Sequence, residues 1–207
     1  MEKKHLVLAS GSPRRKELLS QLGYEFSVLV TDVEECKHAQ ETAEEYVKRL
    51  SLDKALAALS LLKDNPFERQ HVVPSSDTVD HGSDIVVLGS DTVVVSQGQV
   101  LEKPTDFADS KRMLTQLENE RHQVMTAVSV VSEEKQRTEI IITDVWFKPL
   151  SGKEIEQYWQ TGEPCDKAGS YGIQGLGGRF VTRIEGSYYA VVGLPLFETD
   201  QLLQEFL

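Results

Sequence analysis

The stretch LVLASGSPRR, residues 6–15, joins a short apolar run to two adjacent arginines. Ser12 is a good helix N-cap and Pro13 is favoured at the first helical position, which places both arginines in the first turn of a predicted helix. Positive side chains at that end oppose the helix dipole unless an anion is bound. Backbone N–H groups and the guanidiniums of Arg14 and Arg15 would together bind a phosphate. Pairing of the two arginines with surface carboxylates is the alternative.

A second candidate is a carboxylate in a tetrapeptide, Ser-Asp-Thr-Val, that occurs twice in the chain, at 76–79 and 90–93. Asp91 stands between two apolar runs, where a carboxylate is costly to bury without a metal, a cation or several hydrogen bonds. Such positions are typical of functional charges. The alternative is an Asx-type turn at a bend between two strands. Asp77 lies in a polar, proline-bearing stretch and is predicted to be a solvated turn residue.

Cations and further acids accompany these groups. Lys54 falls on the apolar stripe of a helix predicted from Thr42 to Leu62, which is unusual unless its ammonium reaches a partner or a cleft. A lysine that extends to solvent is the alternative. Glu34 and Glu35 follow a predicted strand, where adjacent acids are usually solvated and one faces inward only if the strand edge lines a cleft.

Two more lysines and a glycine-rich segment lie further along the chain. Lys103 is held extended by the proline that follows it, and Lys167 precedes a stretch with five glycines in ten residues, 169–178. The stretch matches neither a Walker loop nor a dinucleotide fingerprint. Gln174 within it offers a donor and an acceptor, which suits the imide edge of uracil or thymine. Surface lysines and a structural turn are the alternatives.

Strand-like and helix-like segments alternate around these residues and predict a mixed α/β domain with flanking helices. The predicted hairpins argue against an all-parallel sheet. The stretch 63–83 is longer than a usual loop and is either functional or a surface insertion. The predicted elements are strands 5–9, 25–30, 84–89, 122–132 and 139–150, hairpins 93–102 and 179–193, and helices 13–22, 42–62, 105–117, 151–161 and one at the C-terminus.

Composition limits the class of protein. The chain has 207 residues and a net charge of −11, with 22 basic against 33 acidic residues, which argues against nucleic acid as a partner. Cys36 and Cys165 form no disulfide framework, so a cytoplasmic protein is expected. No run approaches 18 apolar residues, so no membrane association is expected. The scattered histidines and cysteines suggest no zinc site.

The separated motifs resemble, in order, those of the Maf-like family, nucleotide pyrophosphatases once named for septum formation. The resemblance implies one domain over 1–207, with a twisted mixed sheet like that of inosine triphosphate pyrophosphatase and two lobes around a central cleft. The motifs are ASGSPRRKELL at 9–19, TDVEE at 31–35, DK at 53–54, GSDTVV at 89–94, EKP at 102–104, DKAGSYGIQG at 166–175 and GLPL at 193–196.

The resemblance also implies an activity, namely hydrolysis of a nucleoside triphosphate to the monophosphate and pyrophosphate with Mg²⁺ or Mn²⁺. The form of the glycine-rich motif is similar to the branch that acts on dTTP and UTP, with modified pyrimidine nucleotides left open as substrates. The alternative is a nucleotide-binding regulator of septum formation without turnover. A homodimer also stays open. The implied catalytic residues are Asp91, Glu35, Lys54 and Lys103, with Glu35 and Asp91 at the metal, and the implied substrate-binding residues are Ser12, Arg14, Arg15, Thr92, Lys167 and Gln174.

Overall fold

The computed structural model of the chain describes residues 4–65, 72 and 85–207. Most of the stretch 63–83 lies outside the described residues, and so does Asp77. In the part that is described, no helix is long and apolar enough to cross a membrane.

Seven strands of the described chain form one sheet with helices around it, which confirms the predicted mixed α/β fold. The strands are β1 His5–Leu8, β2 Phe26–Val28, β3 Ile85–Ser96, β4 Gln99–Leu101, β5 Arg121–Val131, β6 Gln136–Phe147 and β7 Val181–Glu185. The helices are α1 Pro13–Gln21, α2 Ala43–Asp64, α3 Phe107–Leu117, α4 Gly152–Gln160, α5 Tyr188–Val192 and α6 Leu196–Phe206.

The sheet combines parallel and antiparallel pairs, in the strand order β2-β1-β3-β5-β6-β7 with β4 also paired to β3. Strand β1 runs parallel to both β2 and β3. The pairs β3–β4 and β6–β7 are antiparallel. The predicted hairpin around Gln97 and Gly98 is therefore present, and both of these residues have the positive φ that a two-residue hairpin turn requires.

Strand β3 is one continuous element of 12 residues rather than two segments joined by a bend. Asp91 lies in the middle of it and is only 7% exposed. The alternative of an Asx-type turn at Asp91 is therefore wrong. Flanking valines on both sides favour extended backbone, so the strand runs through the carboxylate without a break.

The hairpin predicted over 179–193 is wrong in its second half. Strand β7 ends at Glu185, Gly186 has a φ of 130°, and the chain then forms the short helix α5. Ser187 starts this helix, because its side-chain oxygen accepts a hydrogen bond from the Ala190 nitrogen at 3.2 Å. The β-propensity of YYAVV favours a strand, whereas this N-terminal hydrogen bond favours the helix.

The chain divides into two compact units that share strands β3, β5 and β6. Unit 1 contains the chain up to Asp91, with Ala127–Ile140 and Gly193–Leu207. Its core includes side chains from β1 and the residue after it, from α2, and from β3 and β5: Val7, Ala9, Ala55, Ala58, Leu59, Leu62, Ile85, Val87 and Val131.

Unit 2 contains Thr92–Thr126 and Ile141–Val192. Its core is rich in aromatic rings, and His122 packs edge-on against Phe147 and Tyr171 at centroid distances of 4.9 and 5.5 Å. His122 Nε2 also lies 2.8 Å from the Tyr171 hydroxyl. Burial lowers the pKa of His122 to about 4, against the weaker opposing effect of Asp144.

We expect this buried histidine to make the protein sensitive to acid. Its pKa is about 4 in the folded state and 6.5 without perturbation, so the unfolded chain binds more protons between these values. The stabilising contribution is complete above about pH 6.5 and is lost as the pH falls toward 4, up to about 3 kcal/mol. Chemical unfolding at pH 7 and pH 4.5 measures this loss.

The matched variants are His122→Gln and His38→Gln, the latter at an exposed position. His122→Gln should show a smaller difference in unfolding free energy between the two pH values, whereas His38→Gln should keep the wild-type difference. Equal pH dependence in His122→Gln and in the wild-type protein would contradict this origin of the acid sensitivity.

Candidate active site

A lysine in unit 1 joins the two predicted catalytic carboxylates. Lys54 Nζ lies 2.6 Å from Asp91 Oδ1 and 2.5 Å from Glu35 Oε1. The side chains of Lys54 and Asp91 are only 12% and 10% exposed, whereas that of Glu35 is 44% exposed. The ammonium therefore compensates the buried charge of Asp91 and holds a second, more accessible carboxylate beside it.

Helix α2 places Lys54 and also fixes the segment that carries Glu35. The helix begins with a complete capping box between Thr42 and Glu45. One turn into the helix, the Tyr46 hydroxyl donates to the Glu35 carbonyl oxygen at 3.0 Å. Arg49 Nη2 donates to the next carbonyl, that of Cys36, at 2.9 Å. The loop after β2 is thus tied to α2 at the residue that supplies the carboxylate.

A glycine lets α2 come close enough to β3 for the Lys54–Asp91 pair to form. A Cβ atom at Gly89 would overlap the Ser51 carbonyl oxygen and would lie 2.9 Å from the Ala55 nitrogen. Ser51 adds a hydrogen bond at the same place, since its hydroxyl donates to the Gly89 carbonyl at 3.3 Å. A single glycine in a strand is typical of such a close backbone approach.

The N-cap and helix start predicted at Ser12 and Pro13 are formed as expected. Ser12 is the N-cap, its hydroxyl accepts from the Arg15 nitrogen at 3.4 Å, and Pro13 opens the helix. The first turn contains no acidic residue. Arg14 and Arg15 are both half-buried. The helix end is therefore a positive region with backbone N–H groups, a suitable site for an anion.

Arg15 is also part of the protein framework. Its Nε donates to the Gly193 carbonyl at 2.9 Å, and the Ser90 hydroxyl donates to that same carbonyl at 3.2 Å. Burial lowers the pKa of Arg15, and the nearby negative charge of Asp91 opposes that shift. Arg14 and Glu35 act on the same guanidinium electrostatically. The charges of the α1 turn and of the Lys54 pair therefore belong to one region of unit 1.

Asp32 and Glu34 are the other acids of the segment that carries Glu35. They line a surface groove of about 550 Å³ together with Arg49, Asp53 and other residues. Glu35 is the acid of this segment that meets Lys54. The geometry therefore supports the choice of Glu35 over its two neighbours.

The remaining predicted site residues lie in unit 2. Thr92 is half-buried on β3, next in sequence to Asp91. Lys103 and Gln174 are exposed. Lys167 is half-buried, and its Nζ donates to the Glu163 carbonyl and to Asp166 Oδ1, both at 2.7 Å. Lys167 therefore has a structural role in unit 2, and its role in substrate binding stays a prediction.

The glycine-rich segment forms around the carboxylate of Glu163. This carboxylate accepts hydrogen bonds from the Tyr158 hydroxyl at 2.7 Å, the Leu176 nitrogen at 2.8 Å and the Gly177 nitrogen at 3.0 Å. A Cβ atom at Gly175 would overlap the carboxylate. Burial opposes the charged form, but these hydrogen bonds outweigh it and hold the pKa of Glu163 below 4.5.

The carboxylates of Glu35 and Asp91 are the candidate ligands for a divalent cation. The described residues contain no group of three or more His, Cys, Asp or Glu side chains that could hold a metal ion. The two carboxylates on Lys54 do fit Mg²⁺, which proteins usually bind through one or two carboxylates together with waters and substrate phosphates. The residues therefore suit a hard cation that arrives with a phosphate-bearing substrate.

Comparison with known proteins identifies the family of this protein. A family model described as Maf-like protein matches residues 5–206. The chain belongs to the Maf-like family. This Maf-like chain is 67% identical over 202 residues to a protein of Vibrio parahaemolyticus serotype O3:K6 (strain RIMD 2210633) that is named dTTP/UTP pyrophosphatase, and the match covers 98% of this chain and 97% of the relative.

Relatives with the same name occur at greater distance. The match in Vibrio cholerae serotype O1 is 60% identical over 97% of both chains. That in Hahella chejuensis is 47% identical over 99% of this Maf-like chain and 93% of the relative. A solved structure, protein VC0702 from Vibrio cholerae, aligns at 10% identity with a TM-score of 0.33 over 76% of this chain and 70% of the other, which is too weak for an argument.

Sequence reasoning missed the residues that position the site. Gly89 had a usable signal, because it is a single glycine in an apolar strand. Glu163 and Ser90 had none, since their partners in the loop 172–177 and at Gly193 are distant in sequence and only the fold brings them together.

We expect Gly89→Ala to damage unit 1 and the Lys54–Asp91 pair with it. The new methyl group meets the backbone of α2 at Ser51 and Ala55, which cannot move as a flexible side chain would. The free energy of unfolding should fall by about 1–3 kcal/mol. Thermal or chemical unfolding measures the change.

Gly152→Ala is the matched control, because its added Cβ would lie within 4 Å of no described atom outside its chain neighbours and its own helix backbone, and the position opens helix α4. This variant should be neutral or slightly stabilising. A Gly89→Ala protein as stable as Gly152→Ala would show that the approach of α2 to β3 is less tight than described.

Proposed function

We propose that this Maf-like protein is a nucleoside triphosphate pyrophosphatase that hydrolyses dTTP and UTP to the monophosphate and pyrophosphate. The observation that carries the proposal is the bridge from Lys54 to Glu35 and Asp91, next to the positive N-terminus of α1. The names of relatives up to 67% identical over nearly the whole chain support the same activity.

In this mechanism, residues of unit 1 bind the phosphates. The backbone N–H groups after Ser12 and the guanidiniums of Arg14 and Arg15 contact phosphate oxygens. Arg15 also keeps its bond to the Gly193 carbonyl, so its guanidinium has a fixed orientation toward the anion. Positive charge held in place before the reaction stabilises the pyrophosphate leaving group.

Asp91 is the general base of the proposed reaction. Its carboxylate orients a water for attack on the α-phosphorus and takes the proton from it, while Lys54 holds the carboxylate through Oδ1. A divalent cation, Mg²⁺ or Mn²⁺, bound by Glu35 and Asp91 would supply positive charge to the phosphate oxygens. The phosphoanhydride bond breaks without a covalent enzyme intermediate.

Residues of unit 2 contribute to recognition in the same proposal. Thr92 and Gln174 contact the base or sugar, and Lys103 and Lys167 add positive charge for the phosphates. Residues 1–207 act as one catalytic domain in the cytoplasm. A binding protein without turnover is less well supported, because nucleotide binding alone would not require both Glu35 and Asp91 beside Lys54.

The proposed activity is tested by measuring pyrophosphate release from dTTP, UTP, CTP, dATP, GTP and 7-methyl-GTP, each with and without Mg²⁺ or Mn²⁺. Turnover of dTTP and UTP that requires the cation is expected, because its charge offsets that of the triphosphate. Turnover of 7-methyl-GTP alone would contradict the substrate assignment. Binding of dTTP without release of pyrophosphate from any nucleotide would favour the regulator.

We expect Asp91→Asn to abolish turnover while nucleotide binding survives. The amide cannot accept the proton from water, so the rate should fall by at least about 10²-fold, the usual contribution of a general base. Steady-state pyrophosphate release and equilibrium binding of UTP measure the two effects separately.

The chain contains its own matched control, because the tetrapeptide Ser-Asp-Thr-Val is repeated with Asp77 at the corresponding position. Asp77→Asn removes one carboxylate from the same local sequence and should leave the rate nearly unchanged. Wild-type turnover in Asp91→Asn, or equal losses in the two variants, would remove Asp91 from the role of base.

A further inference from the structure

The Lys54 ammonium lies between the two candidate ligands of the divalent cation. Its Nζ is 2.6 Å from Asp91 Oδ1 and 2.5 Å from Glu35 Oε1, so a single nitrogen bridges the two carboxylates. The lysine side chain is only 12% exposed, which leaves little room for water to share in neutralising the acids. A side chain of the protein itself therefore supplies positive charge to both carboxylates.

The proposed function requires the same two carboxylates for the cation. An ammonium and a divalent ion on the same oxygens would lie side by side and repel each other, and the repulsion is strong in a site largely shielded from water. Lys54 and the cation therefore compete for Glu35 and Asp91. One of the two lysine contacts has to be given up when the cation binds.

The two contacts of Lys54 differ in how easily they can be broken. Asp91 belongs to strand β3 and its side chain is 10% exposed, so loss of the ammonium would leave a buried charge without compensation. The Glu35 side chain is 44% exposed and follows β2 in a loop, so water can solvate it when it leaves the lysine. The contact with Glu35 is therefore the one that can be exchanged.

From this geometry we infer that Lys54 competes with the divalent cation for Glu35, gives up this contact when the cation binds, and keeps its contact with Asp91. The inference rests on the proposed function, which calls for a cation at these two acids. A lysine ammonium has three N–H donors. The donor that leaves Glu35 turns to a phosphate oxygen of the nucleotide, which couples loading of the cation to arrival of the substrate.

The test measures binding of Mn²⁺ alone, without nucleotide, to the wild-type protein and to Lys54→Gln by isothermal titration calorimetry. Glutamine removes the competing charge and keeps a polar side chain. Mn²⁺ should bind at least about ten-fold more tightly to Lys54→Gln, since a unit charge close to a divalent ion has an effect of this size even in water. A lysine that only orients the carboxylates predicts the opposite sign, namely weaker binding in the variant.

Three further variants serve as controls. Lys54→Arg keeps the positive charge and should gain no affinity for Mn²⁺. Lys135→Gln removes an ammonium from another pair of unit 1, in which Lys135 Nζ lies 2.7 Å from Glu205 Oε2, and should bind Mn²⁺ as the wild-type protein does. The double variant Lys54→Gln/Glu35→Gln lacks the contested carboxylate and should lose the gain.

Three results would overturn the inference. The first is unchanged or weaker Mn²⁺ binding in Lys54→Gln. The second is an equal gain in Lys135→Gln, which would show a general effect of net charge. The third is a gain that persists in the double variant without Glu35.

A Lys54→Gln protein that does not fold in buffer is refolded in the presence of Mn²⁺ and followed by circular dichroism. Folding that requires the ion supports the inference, because the ion then replaces the ammonium beside the buried Asp91. A variant that stays unfolded with Mn²⁺ overturns it, because the ion then cannot take the place of the lysine.

Failure of the proposed function gives a different result, because Mn²⁺ binding is measured without nucleotide. A wild-type protein that releases pyrophosphate from neither dTTP nor UTP contradicts the proposed function itself. A wild-type protein that hydrolyses both, together with a Lys54→Gln variant that binds Mn²⁺ no more tightly, contradicts only the competition between Lys54 and the cation.

Discussion

The pairing of a lysine with a carboxylate in the middle of an apolar strand is the interaction on which unit 1 depends. Asp91 is nearly inaccessible to solvent, and removing one partner of a buried pair typically costs about 3–5 kcal/mol. Lys54 meets this requirement only because α2 lies against β3 at Gly89 and presents the side chain at the correct turn. The burial of Asp91 therefore depends at once on the position of α2, on the continuity of β3 and on the charge of Lys54. Glu35 is more exposed and joins a lysine–carboxylate pair that the stability of unit 1 already requires.

The two carboxylates that contact Lys54 are held in different ways. Asp91 is held by Lys54 through one oxygen, Oδ1. Glu35 is more accessible and is attached through the loop contacts of Tyr46 and Arg49. One acid is thus fixed by the strand and the other by a loop tied to a helix. The two acids therefore differ in exposure, because the Asp91 side chain is 10% exposed and that of Glu35 is 44% exposed.

Local sequence patterns predicted most of the helices and strands. The contacts between residues distant in sequence could not be predicted in this way. The α1 turn follows from Ser12 and Pro13, which determine their own conformation. The lysine stripe left open whether Lys54 meets a partner or extends to solvent, and periodicity could not name Asp91, 37 positions away, as its partner. The error after β7 has the same origin, because YYAVV has strand propensity and becomes a helix through the hydrogen bond of Ser187. The prediction that the separated motifs form one site came from the family resemblance, because their spacing in the sequence does not show which of them lie together.

The residues of the glycine-rich segment around Glu163 differ in how well they tolerate substitution. Gly175 and Gly177 are required by the carboxylate and by Tyr158, so substitution there disturbs the packing of the loop. Gln174 and Leu176 have exposed side chains, and the Leu176 N–H donates to the Glu163 carboxylate whatever side chain is present. Single substitutions at these two positions therefore change the exposed surface of the loop while Glu163 keeps its backbone hydrogen bonds to Leu176 and Gly177. The loop combines a fixed backbone with exchangeable side chains, so its surface can vary at little cost in stability.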